Sequence, residues 1–179
     1  MMKAAKTRAT ILITTLLLLA GCENQPQEST RGDLSAASPA RIEPCSLITR
    51  EDAEHLLGEA MLEGEKSEES RVGMTLCIYN PVDADSLRFL QVGLTQPGSA
   101  PPGVDSPARI FHGIREAMSA DRIDLDDLGE AAFIATGGLY LLDAEHLISI
   151  GTGNTSRPDV QARLRAAAEV ALTRLRALL

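Results

Sequence analysis

The chain of 179 residues has no Trp, two Tyr and three Phe, so aromatics make up only 3%. It is also short of cations, with 17 Lys and Arg against 25 Asp and Glu and a formal net charge of −8. Nucleic-acid binding draws on clustered positive charge and on stacking aromatics, so this composition argues against it. A run of about 20 apolar residues, the length a helix needs to cross a bilayer, is missing. Missing too are Cys-x-x-Cys, Gly-x-Ser-x-Gly, a Walker loop and His-Glu-x-x-His. Hydrophobic residues nevertheless reach 44%, which argues against wholesale disorder.

What is present begins at the N-terminus. Lys3, Lys6 and Arg8 make a positive segment, and Ile11 to Leu19 make a short apolar run interrupted only by Thr14 and Thr15. The run is too short to span a membrane and fits the apolar region of an export signal. It ends in Leu19-Ala20-Gly21-Cys22, which resembles the lipobox of bacterial lipoproteins. That resemblance implies cleavage before Cys22 and acylation of Cys22, with residues 1–21 as the signal peptide. Cleavage removes the three cations and no acid. The mature chain then has 14 Lys and Arg against 25 Asp and Glu, a formal −11. An anionic lipid surface repels such a body, so a domain held off the membrane on a tether is expected.

Residues 23–43 are rich in Glu, Gln, Ser, Pro and Ala without apolar periodicity. With Cys22 they read as a lipidated, flexible linker, 22–43, with a span on the order of 25 Å. Residues 44–179 then form one domain. Thr49-x-x-Asp52 predicts a capping box, and Gly58 closes the helix that follows. Residues 59–73 read as a loop, with a short strand at 60–63. Residues 75–79 and 87–94 read as strands. Ser106-Pro107 starts a second helix with a stripe of Ile110, Phe111, Ile114 and Met118. Residues 121–130 read as an acidic turn, and 131–135, 139–142 and 147–150 as three strands. Residues 157–179 form the last helix, with a stripe of Val160, Leu164, Ala168, Ala171, Leu172, Leu175 and Leu179. The order α-β-β-α-β-β-β-α predicts an α+β fold, with an antiparallel sheet of about five strands packed against helices.

With Cys22 assigned to lipid, Cys45 and Cys77 remain. An oxidising compartment and an even count point to a disulfide. The rival readings are a reactive thiol and a metal site, but no Cys-x-x-Cys is present and no His neighbours either residue.

Pro44-Cys45-Ser46-Leu47-Ile48-Thr49, Asp52-Ala53-Glu54, Leu57-Gly58 and Cys77-Ile78-Tyr79 resemble a group of small bacterial lipoproteins of unknown function. Their pattern is CSLLT, then an acidic residue and Ala, then LG, then C-x-Y or C-x-W. Leu128-Gly129-Glu130-Ala131-Ala132-Phe133 is similar to a further segment of that group. The resemblance implies a bridge between the two cysteines and brings no enzyme activity.

Chemistry-bearing residues are sparse. The pentapeptide Asp-Ala-Glu-His-Leu occurs at 52–56 and again at 143–147. Two such copies would make a metal site only if they converged in space. Asp124, Asp126, Asp127 and Glu130 surround Gly129 but miss the calcium-loop spacing, and read as a solvated acidic turn. Gly151-x-Gly153 lacks the third glycine of a dinucleotide fingerprint. Arg157, Arg163, Arg165, Arg174 and Arg176 read as the solvated face of the last helix, with a partner-facing surface as the alternative. No catalytic residue, cofactor or metal ligand is assigned. The expectation is a non-enzymatic protein anchored in the bacterial envelope at the periplasmic or extracytoplasmic face, binding another envelope component. The alternative is a carrier of a small apolar ligand held between the sheet and the last helix.

Overall fold

The computed structural model describes residues 41–179. Residues 1–40, on which the expected export signal, Cys22 and most of the expected tether fall, lie outside the described residues. The chain folds as α1 (Pro44–Leu47), α2 (Arg50–Leu57), β1 (Glu65–Glu69), β2 (Met74–Tyr79), β3 (Leu90–Thr95), α3 (Pro107–Ala117), β4 (Ile123–Leu125), β5 (Ala131–Ala135), β6 (Gly138–Asp143), β7 (His146–Gly151) and α4 (Pro158–Leu178). The fold is α+β with one antiparallel sheet. It has seven strands in the order β1-β2-β3-β7-β6-β5-β4, rather than about five, and the elements run α-α-β-β-β-α-β-β-β-β-α rather than α-β-β-α-β-β-β-α, because the one-turn helix α1 precedes the capping box and both sheet edges add a strand. Two antiparallel meanders, β1–β3 and β4–β7, are joined by the pairing of β3 with β7.

Local signals set the helices. The Thr49 hydroxyl accepts from the Asp52 N–H, and the Asp52 carboxylate accepts from the Thr49 N–H, so the capping box is complete. Gly58 ends α2 in the left-handed region at φ 73°. Ser106 caps α3, and Pro107 occupies its first turn. α4 buries Val160, Leu164, Ala167, Ala168, Ala171, Leu172 and Leu175. Leu179 follows the end of the helix and is exposed, so it is not part of the stripe.

The two extra strands are the two edges of the sheet. β1 lies within residues 59–73, and Met61 makes only an isolated bridge to Pro81. β1 reads Glu-Lys-Ser-Glu-Glu and is almost wholly exposed, so it has no apolar alternation to reveal it. Its backbone is held by β2, and its charges suit an unpaired edge. β4 is three residues inside the acidic turn, paired with β5. The β3 ladder begins at Leu90 rather than Leu87, which is 94% exposed.

Strand alternation divides the sheet into two faces. Leu90, Val92, Leu94, Leu139, Leu141, Ile148 and Ile150 pack on α1, α2 and α4. Phe133, Ala135, Leu142 and Leu147 point to the opposite face, against Phe111 of α3. Phe111, Phe133 and Tyr140 form an aromatic ladder, with centroids 5.2 and 5.0 Å apart.

The β6–β7 hairpin turns through Ala144 and Glu145, both at positive φ (45° and 61°). A two-residue loop of this kind favours glycine, because a Cβ in the left-handed region crowds the backbone. Glu145→Gly is therefore expected to raise stability by about 0.5–1 kcal/mol. Urea unfolding checks this, and an unchanged or lower midpoint would show that the turn is not strained.

Candidate functional site

The best-built constellation is the entry to the domain, where the chain arrives from residue 40. Arg41, Ile42 and Glu43, which the sequence reading places in the linker, are bonded to the domain. The Gln96 side chain accepts from the Ile42 N–H and donates to the Ile42 carbonyl, both at 2.9 Å. Glu43 pairs with Lys66 at 2.8 Å, and Arg41 with Glu68 at 3.7 Å. Cys45 and Cys77 are joined as a disulfide with an S–S distance of 2.11 Å. Cys77 is fully buried, and Gly64 closes over the sulfurs. A Cβ at Gly64 would stand 2.6 Å from Cys77 Sγ and 3.1 Å from Cys45 Sγ, so glycine is required by space.

Behind the disulfide lies a half-buried polar cluster. The Tyr79 hydroxyl donates to the Ile48 carbonyl, with the Cys45 carbonyl at 3.4 Å. Burial, with the Asp52 and Glu63 carboxylates nearby, pushes the Tyr79 phenol up to about 12, so it stays a neutral donor. Arg174 of α4 donates to both Asp52 carboxylate oxygens and to the Leu47 carbonyl. Burial raises the Asp52 carboxyl, but hydrogen bonds from Arg174 and Thr49 outweigh it and leave the group below its ordinary value. The cluster ties α2 to the C-terminal turns of α4. The capping box at Asp52 is legible in sequence. Its pairing with Arg174, 122 residues away, leaves no local trace.

Asp52→Ala is expected to cost about 2 kcal/mol, roughly half from the lost cap and half from the partly screened pair. Asp52→Asn isolates the charge and should cost less. Because the folded value is depressed, the contribution is complete above the ordinary carboxylate range. It is lost as pH falls through the lower folded value. Unfolding curves from pH 7 down to pH 2 check this, and an Asp52→Asn protein with an unchanged acid transition would contradict it.

The two Asp-Ala-Glu-His-Leu copies do not form a metal site. Among the described residues, no three His, Cys, Asp or Glu side chains gather as one. Instead each copy supplies its aspartate to α4. Asp52 takes Arg174, and Asp143 takes Arg176 through two bonds of 3.0 and 2.7 Å. His146 is buried and bonds the Ala144 carbonyl through Nδ1 at 2.6 Å, while His55 is exposed on α2.

All five arginines of α4 and its entry are in ion pairs. Arg157 and Arg163 meet Asp159, and Arg165 meets Asp127 and Glu169. A basic docking face is thereby neutralised. In the acidic run, bonds from Arg122 and Arg115 lower the Asp124 carboxyl, and a bond from Arg165 lowers Asp127. Those acids are structural counter-ions. One solvent-open cleft of about 520 Å³ lies between Arg122, Ile134, Thr136 and Gln161. Another of about 310 Å³ lies between Gln96, Val104, Ala108 and Glu145. Neither assembles a nucleophile with a base.

Among the described residues, no helix is long and apolar enough to cross a membrane. Compared with known protein families, curated proteins and solved structures, the chain matches none.

Proposed function

We propose that the chain is a lipid-anchored protein of the bacterial envelope, held through Cys22. Its domain binds another envelope protein and does not catalyse a reaction. The observation that carries this reading is the unequal cover on the two sheet faces. One face is closed by α1, α2 and α4, whereas the other has α3 over β5, β6 and β7 only. Met74, Leu76 and Ile78 of β2 are therefore only half-buried on that face, and Leu87 and Phe89 just before β3 are exposed. Apolar side chains left without cover on a sheet face are the kind of surface that a partner can bury.

The carrier alternative needs room between the sheet and α4. That layer is occupied by Leu164, Ala167, Ala168, Ala171 and Leu175 against Leu139, Leu141, Ile148 and Ile150, all at most 1% exposed. The alanines bring α4 close to the strands, so side chains fill the space a ligand would take.

A photo-reactive residue at Leu76 tests the binding reading in intact cells, with the same residue at solvent-exposed Thr173 of α4 as control. The expected result is a discrete adduct from Leu76 that Thr173 does not give. Equal labelling from both positions, or a turnover activity abolished by one substitution in the domain, would sink the proposal.

A further inference from the structure

The larger of the two clefts, about 520 Å³, lies on the α4 side of the sheet at its β4 edge. Ile123 of β4 stands beside Ile134 of β5, so both side chains share a face. Ile134 packs in the same cluster as Val160 and Leu164 of α4, which makes that face the α4 face. Ile134 is buried, whereas Ile123 is 44% exposed and gives the cleft an aliphatic floor. The walls come from distant parts of the chain. Asp121 and Arg122 lead into β4, Thr136 follows β5, and Thr155, Ser156 and Gln161 surround the start of α4.

These wall groups are polar, and much of their hydrogen-bonding capacity is unspent. Among the described residues, the hydroxyls of Thr136, Thr155 and Ser156 and the carboxylate of Asp121 take no protein partner, and all of them line the cleft. Gln161 donates through Nε2 to the Thr155 carbonyl at 2.8 Å, which fixes its amide and leaves Oε1 as an acceptor. Arg122 is the opposite case. Its Nε and Nη2 bond Asp124 and its Nη1 bonds the Arg115 carbonyl, so its charge is committed.

The lining chemistry selects the ligand. An anion finds Arg122 already engaged and is repelled by Asp121. An apolar ligand would strip water from the hydroxyls, the amide and the carboxylate without replacing their hydrogen bonds. A metal ion would meet one carboxylate beside a guanidinium, and no three His, Cys, Asp or Glu side chains gather among the described residues. A neutral polyol suits every group. Its hydroxyls donate to Asp121 and Gln161 Oε1 and exchange hydrogen bonds with the Ser and Thr hydroxyls, while its C–H face covers Ile123. The volume falls in the range of roughly 300–1,000 Å³ that holds a small molecule.

We propose that this cleft binds a neutral saccharide, either a free small sugar or one unit of a glycan chain. The site goes beyond the protein-binding reading and is separate from it, since Leu76 lies on the opposite face of the sheet.

The test uses the purified full-length chain in phosphatidylcholine nanodiscs, read by amide NMR. The probes are glucose, cellobiose and cellotetraose, and the N-acetylglucosamine series of the same lengths. At least one of them is expected to give saturable shifts confined to residues 121–123, 136 and 155–161, with a dissociation constant of about 1 mM. Equal affinity across a series identifies a free small sugar as the ligand, and affinity rising with length identifies a glycan chain. Digalacturonate and the cationic dimer of glucosamine should leave those residues unshifted. Asp121→Asn with Ser156→Ala removes a charged acceptor and a hydroxyl at exposed positions, and should weaken the sugar on the order of tenfold. Unchanged shifts in α3 and β2 show that this variant is folded.

Four results overturn the proposal. They are no shift at the cleft with any neutral probe, shifts scattered over the surface, binding of digalacturonate as tight as that of the neutral sugars, and unchanged affinity in the double variant.

Discussion

Replacing Cys45 and Cys77 together by alanine is expected to lower the unfolding free energy by about 3 kcal/mol. The bridge spans 32 residues of sequence, so in the unfolded chain it closes a loop that takes in α1, α2 and β1. Loop closure restricts the unfolded ensemble, and its removal releases that entropy. In a domain of this size the loss corresponds to a fall in melting temperature of about 10 °C. The native structure loses contacts as well, because Gly64 and Tyr79 pack around the sulfurs. Thermal unfolding of the double variant beside the parent checks the figure. Equal stability would show that the bridge constrains nothing. Denatured chain without reductant should show no free thiol at Cys45 or Cys77, and quantitative labelling of both would contradict the bond.

Replacing Cys22 by serine is expected to change location rather than folding. A hydroxyl in place of the thiol cannot take the diacylglyceryl group through a thioether, so the precursor should stay unacylated and uncleaved. One acyl chain gives marginal, reversible membrane binding, whereas two give lasting attachment. Loss of acylation should therefore abolish lasting lipid attachment in a nearly all-or-none way. Mass spectrometry of the purified chain separates the forms, and a cleaved, acylated Cys22→Ser protein would refute the assignment. The disulfide and the fold lie in residues 41–179, so the melting temperature of the variant domain should match the parent.

These expectations were legible to different degrees. Thr49-x-x-Asp52 with Gly58, Ser106-Pro107, and the apolar stripes of α3 and α4 specify their elements through contacts within a few residues, so a sequence reading reaches them. The three strands β5, β6 and β7 are apolar runs separated by turns and are legible for the same reason. β1 and β4 are not, because an edge strand is held by its neighbour's backbone and tolerates any polar side chain. The pairing of β3 with β7 joins two meanders across an intervening helix and could not be read from spacing alone.

The sequence by itself determined both caps of α2, the start of α3, the antiparallel α+β class, the acidic charge and the cysteine count, since each depends on residue type or short-range spacing, whereas the one-turn helix α1 carries no such signal. Only the tertiary structure decided that Asp52 and Asp143 are counter-ions of α4 rather than metal ligands. It also decided that the α4 arginines are neutralised, and that α3 shields one half of a sheet face while Leu76 and Ile78 on the other half are only half-buried. Each of these rests on groups brought together from distant parts of the chain, and charge and burial act through space rather than along the sequence.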